Sequence, residues 1–155
     1  MRRADREVSD KEEIEDIISR ADVCRIALAN AGQPYLVTMN YGYVSEPEHT
    51  FYFHCANEGK KLDMIRQNNY ACFELDTDHL LIRGKASCDW GMSFSSVVGY
   101  GNITIVADTE EKTVGLNTIM RHYGAEGEQH YDDRVFSRTT ILRLDVTEMT
   151  CKKKR

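Results

Sequence analysis

The spacing of apolar positions near the start of the chain predicts a helix followed by a β-hairpin. Between Ser9 and Ala21, isoleucines recur at helical spacing after a Ser-Asp-Lys-Glu opening, in which Ser9 with Glu12 or Asp10 with Glu13 can form a capping box. The next stretch, VCRIALANAGQPYLVTMNYGYV, places two β-rich apolar runs around Asn-Ala-Gly-Gln-Pro. That composition is typical of a turn between antiparallel strands.

The rest of the chain alternates strand patterns with two helical patterns. Strand-like density or alternation occurs in TFYFHCA (50–56), YACFEL (70–75), LLIRGKA (80–86), SSVVGYGNITIV (95–106) and TTILRLDV (139–146). Helical spacing occurs in KKLDMIRQN (60–68) and EEKTVGLNTIMRHY (110–123). Gly99 and Gly101 predict a bulge or a close backbone approach. We therefore predict a mainly β fold with α (α+β), a closed or partly closed barrel of six or seven antiparallel strands with about three helices.

Composition and charge narrow the class of protein. A chain of 155 residues with 41% hydrophobic content fits a single domain, residues 1–155. It has neither an apolar run of roughly 20 residues nor a signal-peptide core, so we expect a cytoplasmic protein without membrane association. Its five cysteines are scattered and expected to be reduced. A net charge of −5 argues against nucleic-acid binding, and the basic tail CKKKR (151–155) is expected to be a solvated terminus rather than a patch for an anionic partner.

The stretch FYFHCANEGKK (51–61) carries the clearest chemical signal. A strand ends in a turn containing glycine, and two lysines, Lys60 and Lys61, stand where the next helix begins. Free backbone N–H groups at a helix start, the positive end of the helix dipole and two ammonium groups together suit a phosphate monoester. Two solvated lysines at a helix start would give the same pattern, so this segment alone leaves both interpretations open.

Three segments, PYLVTMNYGYV, FHCANEGKK and SSVVGYG, resemble in order and spacing the pyridoxamine 5′-phosphate oxidase-like FMN-binding split-barrel superfamily. The form FHCANEGKK resembles the 5-nitroimidazole resistance (nitroreductase-like) branch. The resemblance runs from about Arg3 to Val146 and implies an FMN-binding split barrel that forms a homodimer with flavin at the interface. The flavin-binding residues that it implies are Thr38, Met39, Asn40 and Tyr41 along the isoalloxazine edge, His54 and Cys55 beside the ribityl chain and ring, Lys60 and Lys61 at the phosphate, and Ser96 with Val97 on a neighbouring strand. Many relatives have proline where this chain has Thr38.

Several of these residues have two interpretations. His54 is either a core histidine bonded to backbone or, as the resemblance implies, a catalytic residue that donates a proton. Cys55 fits packing better than chemistry. The loop Trp90–Phe94 suits dimer packing, or alternatively covers the flavin or the substrate. His122 and His130 each precede a tyrosine, but no second ligand pair accompanies them at zinc-like spacing, so no metal site is expected.

The resemblance implies an FMN-dependent oxidoreductase that reduces a small acceptor, such as a nitroimidazole or a related nitro or quinone compound. Related barrels bind FAD, haem or a deazaflavin, so a non-catalytic carrier or sensor is an alternative. A pyridoxamine 5′-phosphate oxidase is a third hypothesis. It is disfavoured because the arginine- and tryptophan-containing C-terminal segment of such oxidases does not follow TTILRLDVTEM, and Trp90 is the only tryptophan.

Overall fold

The computed structural model describes residues 3–154, in which eight β-strands and four α-helices are formed. The strands are β1 (Glu7–Val8), β2 (Cys24–Asn30), β3 (Gln33–Met39), β4 (Tyr41–Val44), β5 (Thr50–Ala56), β6 (Tyr70–Ile82), β7 (Gly91–Ile105) and β8 (Thr139–Lys154). The helices are α1 (Lys11–Arg20), α2 (Lys60–Gln67), α3 (Thr109–His122) and α4 (Asp133–Ser137). Single 3-10 turns form at Ala4–Arg6 and Ser87–Asp89.

All strands belong to one antiparallel sheet, which confirms the α+β split-barrel prediction. Its order is β3-β2-β6-β7-β8-β5-β4, and β1 pairs with β8. The edge strands β3 and β4 are consecutive in sequence and are joined by Asn40 alone. The two edges of the sheet therefore meet at Asn40 and diverge on either side of it, which leaves two gaps in the barrel wall.

One gap, beside the end of α1, is closed by hydrogen bonds from aromatic residues of β4 and of the end of α3. The Tyr41 hydroxyl donates to the carbonyl oxygen of Ala21 at 3.1 Å, and His122 Nε2 lies 2.9 Å from the same oxygen. The Tyr123 hydroxyl donates to the Asp22 carbonyl at 2.7 Å and accepts from the backbone N–H of Tyr41 at 3.2 Å. The C-terminal end of α3 is thereby fastened to the segment between α1 and β2.

The segment 51–53 of strand β5 is covered on both faces. Phe51 and Phe53 point into the barrel and are fully buried, and their rings stack with centroids 6.3 Å apart. On the opposite face Tyr52 packs under α3 in a second cluster that includes Ile119 and Ile141. A strand buried on both sides reads as a continuous apolar run, which explains the composition of TFYFHCA. Truncation of Phe51 to alanine would cost about 3–5 kcal/mol of stability.

The two segments 70–75 and 80–86 were predicted as separate strands, and this is wrong, because most of their length forms the single strand β6. The intervening polar residues stay in the sheet although Asp78 has a positive φ of 60° and the register with β7 shifts there. The carboxylate of Asp78 accepts hydrogen bonds of 2.8 Å from Arg20 and from Ser95. The pattern of apolar residues in a strand does not show such side-chain bonds. They keep Asp78 within one continuous β6–β7 ladder.

The expectation of a solvated basic tail is also wrong for residues 151–154, and Arg155 lies outside the described residues. Strand β8 does not end at Val146 but continues to Lys154 between β7 and β1. Cys151 is buried, and burial raises the pKa of its thiol to about 11. Lys153 Nζ lies 2.6 Å from a carboxylate oxygen of Glu13 on α1. Residues 151–154 belong to the sheet because they pair with the long strand β7 on one side, and residues 151 and 152 also pair with β1 on the other.

The predicted irregularity at Gly99 and Gly101 is confirmed. The register between β7 and β8 shifts between Tyr100 and Gly101. A Cβ atom on Gly101 would lie 2.3 Å from the carbonyl oxygen of Asp145, and one on Gly99 would lie 2.4 Å from the Phe73 ring. Both glycines are therefore required by close approach of neighbouring strands.

The two long helices begin at acidic caps close to their predicted positions. Asp10, rather than Ser9, accepts a hydrogen bond of 2.8 Å from the backbone of Glu13 at the start of α1. Asp108 does the same for Glu111 at the start of α3, also at 2.8 Å. Each cap satisfies a backbone donor that the helix leaves free. Within residues 3–154, no helix combines the length and apolar character needed to span a lipid bilayer.

Candidate functional site

The second gap in the barrel wall lies between β3 and β5 and is bridged by the start of α2. Lys60 Nζ lies 4.8 Å from the centroid of the Tyr35 ring on β3. Burial raises the pKa of the Cys55 thiol on β5, and the nearby charge of Lys61 opposes that rise. The two lysines therefore lie beside opposite walls of the gap. We call this region, bounded by Tyr35, Thr38, His54, Cys55 and the start of α2, the β3–β5 cleft.

The residue that begins α2 leaves its first turn open to a ligand. Gly59 adopts φ 135° and ψ 162°, a conformation that residues with a Cβ avoid, and it provides no side-chain cap. A Cβ built on Gly59 would have no atom within 4 Å, so the space above the turn is free. The carbonyl of Gly59 accepts from the backbone N–H of Leu62 at 2.9 Å, which closes the turn. The helix dipole and both lysines favour an anion there.

The turn before α2 is anchored to the end of α4 and to the neighbouring strand β8 by Asn57. Its side-chain amide donates to the carbonyl oxygen of Ser137 at 2.9 Å and accepts from the hydroxyl of Thr140 at 2.8 Å. Both partners lie where α4 leads into β8. The path of the chain from β5 to Lys60 and Lys61 at the start of α2 is thus fixed by hydrogen bonds to residues far away in sequence.

The predicted flavin-edge residues divide between the two faces of the sheet. Thr38 and Asn40 are exposed at the β3–β5 cleft, whereas Met39 and Tyr41 are buried inside the barrel. The Tyr41 ring lies 5.6 Å from that of Phe51, centroid to centroid, and cannot contact a ligand at the surface. The side chains of Met39 and Tyr41 therefore lie in the barrel core, and their place along the flavin edge stays a prediction that only their main chain could meet. Because β3 pairs with β2 on one side, its other edge offers backbone groups to the cleft.

His54 and Cys55 point to opposite faces of β5. His54 is exposed, which excludes the interpretation of a core histidine. Tyr41 on β4 is opposite Phe53 on β5. If this register continues by one residue, His54 is opposite Asn40. Cys55 is half-buried and packs against the barrel core, as the packing interpretation expects. His54 thus faces outward at the edge of the cleft, while Cys55 forms part of its inner wall.

Ser96 and Val97 do not join this cleft within one chain. The side chain of Val97 is fully buried in the barrel, so its predicted place at the flavin stays a prediction that only its main chain could meet. Ser96 is half-buried on the outer face, two residues from Val98. Val98 on β7 and Thr38 on β3 lie at the same level of the sheet, with strands β6 and β2 between them. Three strand spacings, about 14 Å, therefore separate β7 from β3 at this level.

The sheet surface between Ser96 and the cleft carries an ion cluster. Arg25 Nη1 lies 2.9 Å from a carboxylate oxygen of Glu74 and 2.6 Å from one of Asp76. Next to this cluster the outer face exposes an apolar surface. Its large side chains are Leu36, Tyr70, Val98 and Tyr100. We call this surface the outer apolar face.

Sequence reasoning missed two residues of the cleft. Tyr35, whose ring contacts Lys60, was read only as part of a strand, although alternation along β3 puts it on the inward face with Val37 and Met39. Asn57 was read only as a turn residue. Its two bonds to the α4–β8 junction connect positions about 80 residues apart, and no local pattern signals them.

An unpaired edge strand, an uncapped helix start and two lysines at one gap of a split barrel define a site that suits an anionic ligand. The comparison with family models gives the family. The model described as pyridoxamine 5′-phosphate oxidase matches residues 10–153, and the chain belongs to this family. None of the curated proteins matches the chain.

Solved structures agree with this assignment. A candidate 5-nitroimidazole antibiotic resistance protein from Bacteroides thetaiotaomicron VPI-5482 is 33% identical, with a TM-score of 0.81 over 95% of this chain and 86% of that protein. The FAD and heme binding protein from Mycobacterium smegmatis is 14% identical, with a TM-score of 0.84 over 97% of this chain and 74% of that protein. A flavocytochrome from Azotobacter vinelandii is 16% identical, with a TM-score of 0.80 over 100% and 72%. The last two show the shared fold alone.

Proposed function

We propose that the protein is an FMN-dependent oxidoreductase that reduces a small acceptor, such as a nitroimidazole or a related nitro or quinone compound. The observation that carries the proposal is the start of α2 at the β3–β5 cleft, where Lys60 and Lys61 flank an uncapped helix turn. The 33% identical relative whose name refers to 5-nitroimidazole resistance supports the choice of acceptor.

The residues present fit a flavin mononucleotide. The free space above Gly59 and the two ammonium groups suit its phosphate, and the unpaired edge of β3 near Thr38 and Asn40 suits the polar edge of its ring. When bound, the flavin would supply the electron-transfer chemistry that amino-acid side chains lack. The chain's part is to hold the phosphate, orient the ring edge and exclude water from one side.

The proposed catalytic residue of this chain is His54. Its exposed imidazole lies at the cleft edge, and a ring nitrogen, Nδ1 or Nε2, can donate a proton to an acceptor that has received electrons. A proton supplied by a positioned side chain contributes about 10²–10⁴-fold to a rate. His54 therefore acts on the acceptor rather than on cofactor binding.

The proposed assembly is a homodimer that completes the cleft. Within one chain Ser96 is separated from the cleft by β6 and β2, so a contact between Ser96 and the same flavin requires a second copy. The outer apolar face, which includes Leu36 on the edge strand β3 at 62% exposure, is the surface on which that copy would pack. A symmetric arrangement would give two equivalent clefts.

Absorbance followed by anaerobic reduction tests the proposal. We expect the purified protein to show flavin bands, to be bleached by NADH or NADPH, and to recover its colour when a nitroimidazole is added. The double variant Lys60→Ala/Lys61→Ala serves as the control and should lack the bands. A Soret band in place of flavin bands would favour a haem-binding module. Bound flavin that no acceptor reoxidises would favour a non-catalytic carrier, and a colourless protein that FMN does not bind would refute the proposal.

A further inference from the structure

The short helix α4 has no buried face. None of its five residues is buried, and Val135 is 64% exposed. An element that buries little apolar surface depends on a few individual contacts for its position, and such elements open locally at a low free-energy cost. Helix α4 can therefore detach from the molecule while the barrel stays folded.

A single lysine fastens α4 to α3. Lys112 on α3 donates a hydrogen bond to the carbonyl oxygen of Phe136, and its Nζ lies 4.2 Å from the centroid of the Phe136 ring. Ahead of α4, the Tyr131 hydroxyl donates to Asn117 Oδ1 on α3 at 2.7 Å. The chain that leads into α4 is thus fastened to α3 separately, and the docking of α4 itself depends mainly on the ammonium group of Lys112.

The last residue of α4 is bonded to the turn that precedes α2. The carbonyl oxygen of Ser137 accepts from the side-chain amide of Asn57 at 2.9 Å, and the Thr140 hydroxyl donates to the oxygen of the same amide at 2.8 Å. The ladder between β5 and β8 ends one residue earlier, where Ala56 is opposite Thr139. The Asn57 side chain therefore continues the attachment beyond the ladder and into the turn.

This turn is open on one side and supported by Asn57 on the other. No atom lies within 4 Å of a Cβ built on Gly59, whose carbonyl accepts from the N–H of Leu62 at 2.9 Å. The oxygen and the nitrogen of the Asn57 amide are both bonded within the chain, so Asn57 acts on the turn and is not a ligand of an anion. Donors must be held within about 0.5 Å of their productive positions. The bonds of Asn57 therefore affect how well the start of α2 holds a negative charge.

We propose that Asn57 is a positioning residue for the anion site at the start of α2, and that it couples this site to the docking of α4 on α3. The proposal rests on the proposed function for FMN as the molecule that carries the anion. With α4 docked, Ser137 and Thr140 hold the amide and the turn is preorganised for a phosphate. With α4 detached, Asn57 loses the Ser137 acceptor and the turn adopts other conformations. Because coupling between sites is reciprocal, a bound phosphate should favour the docked α4 by the same factor.

Amide hydrogen exchange tests the coupling in flavin-free protein, with the N–H of Phe136 reporting on α4 and that of Leu62 on the turn. Lys112→Met should speed the exchange of both. Thr140→Val leaves α4 itself unchanged and should speed that of Leu62 by roughly 2- to 10-fold, the effect of one lost hydrogen bond. Thr140→Ser keeps the hydroxyl and should restore the wild-type rate. Thr113→Val, which removes a hydroxyl bonded within α3, should alter neither rate. Unchanged exchange of Leu62 in Lys112→Met and in Thr140→Val would overturn the coupling.

Ligand affinity tests the positioning role, with FMN and inorganic phosphate as separate probes. Thr140→Val should weaken the binding of both by roughly 2- to 10-fold, and Thr140→Ser should bind them as the wild type does. The double variant Lys112→Met/Thr140→Val should lose less affinity than the product of the two single losses, because both act through Asn57. Saturation with FMN should slow the exchange of Phe136 by a factor comparable to the loss of affinity in Lys112→Met.

The outcomes separate this proposal from the proposed function. Wild-type affinity for both probes in Thr140→Val would overturn the positioning role. A double variant whose loss equals the product of the single losses would overturn the coupling. If the wild-type protein binds phosphate and not FMN, the proposed function is refuted while the phosphate affinities of the variants still decide the role of Asn57. If it binds neither, both proposals fail.

Discussion

Lys60 Nζ lies 4.8 Å from the ring centroid of Tyr35, so the first residue of α2 contacts the strand on the far side of the cleft. A cation–π contact at an exposed site contributes about 0.5–1 kcal/mol. A charge-assisted hydrogen bond to phosphate contributes about 1.5–3 kcal/mol. Because the bond to phosphate is the stronger of the two, Lys60 can exchange its contact with the Tyr35 ring for a bond to a bound phosphate. Before a ligand binds, the Tyr35 ring keeps the ammonium group near the cleft.

The two lysines should determine flavin affinity. Replacement by Lys60→Ala/Lys61→Ala removes both cations, and each lost bond should raise the dissociation constant of FMN by roughly 10- to 100-fold. Arg66→Ala removes a cation of the same helix that is paired with Asp63, and it should leave the affinity unchanged. Flavin fluorescence titration measures both. If the double variant binds FMN with wild-type affinity, the assignment of Lys60 and Lys61 to the phosphate is refuted.

Gly59 should be required for the phosphate turn because of its backbone conformation. Gly59→Ala meets no neighbouring atom but must adopt a φ of 135°, a strain of about 1–3 kcal/mol. We expect relief of that strain to rotate the turn, with loss of both stability and FMN affinity. Gly127→Ala, strained at φ 72° away from the cleft, should lose stability alone. Calorimetry with and without FMN separates the two; equal behaviour of the two variants would contradict a role for this turn.

His54 should affect turnover rather than stability. Because His54 is exposed, His54→Ala should change the free energy of unfolding by no more than about 0.5 kcal/mol. The single-turnover reduction of a nitroimidazole should slow by about 10²–10⁴-fold while flavin content stays the same. His130→Ala, which removes another exposed histidine, should leave the rate unaltered. Unchanged turnover in His54→Ala would remove His54 from the mechanism.

A charge on the outer apolar face should break the homodimer. Leu36→Glu places a carboxylate on a residue that is 62% exposed in the single chain but would be buried by a second copy. We expect sedimentation to show a monomer with weakened flavin binding. Val135→Glu makes the same change at 64% exposure on α4 and should remain dimeric. A Leu36→Glu dimer with normal flavin content would show that dimerisation uses another surface.

The bonds at Asp78 should make stability depend on acid pH. The side-chain bonds from Arg20 and Ser95 lower the pKa of Asp78 in the folded state. Its contribution is therefore complete above the unfolded value of about 3.9 and is lost as pH falls through the lower folded pKa. Asp78→Asn should melt roughly 2–4 °C below wild type at pH 7, and the difference should vanish in acid. Asp63→Asn, at an exposed ion pair, should change the melting temperature little at pH 7, and a pH-independent effect of Asp78→Asn would refute the linkage.

Local patterns predicted much of the fold. The helix start at Asp10, the aromatic strand β5 and the glycine approach in β7 each depend on neighbours in sequence, and the structure agrees with them. The proposed phosphate motif also lies in one short segment, so its residue types could be recognised before any tertiary contact was known. Strand β6 was divided wrongly because the bonds that keep Asp78 in the ladder come from Arg20 and Ser95, far away in sequence.

The sequence by itself determined most of the elements, the antiparallel barrel class and the lysines at the start of α2, because these follow from periodicity and from contiguous residues. Only the tertiary structure decided that Tyr41 faces inward, that Ser96 is separated from the cleft, and that residues 151–154 complete a strand. The physical reason is that register between strands fixes which face each side chain occupies. That register depends on partners dozens of residues away, whose pairing no local pattern encodes.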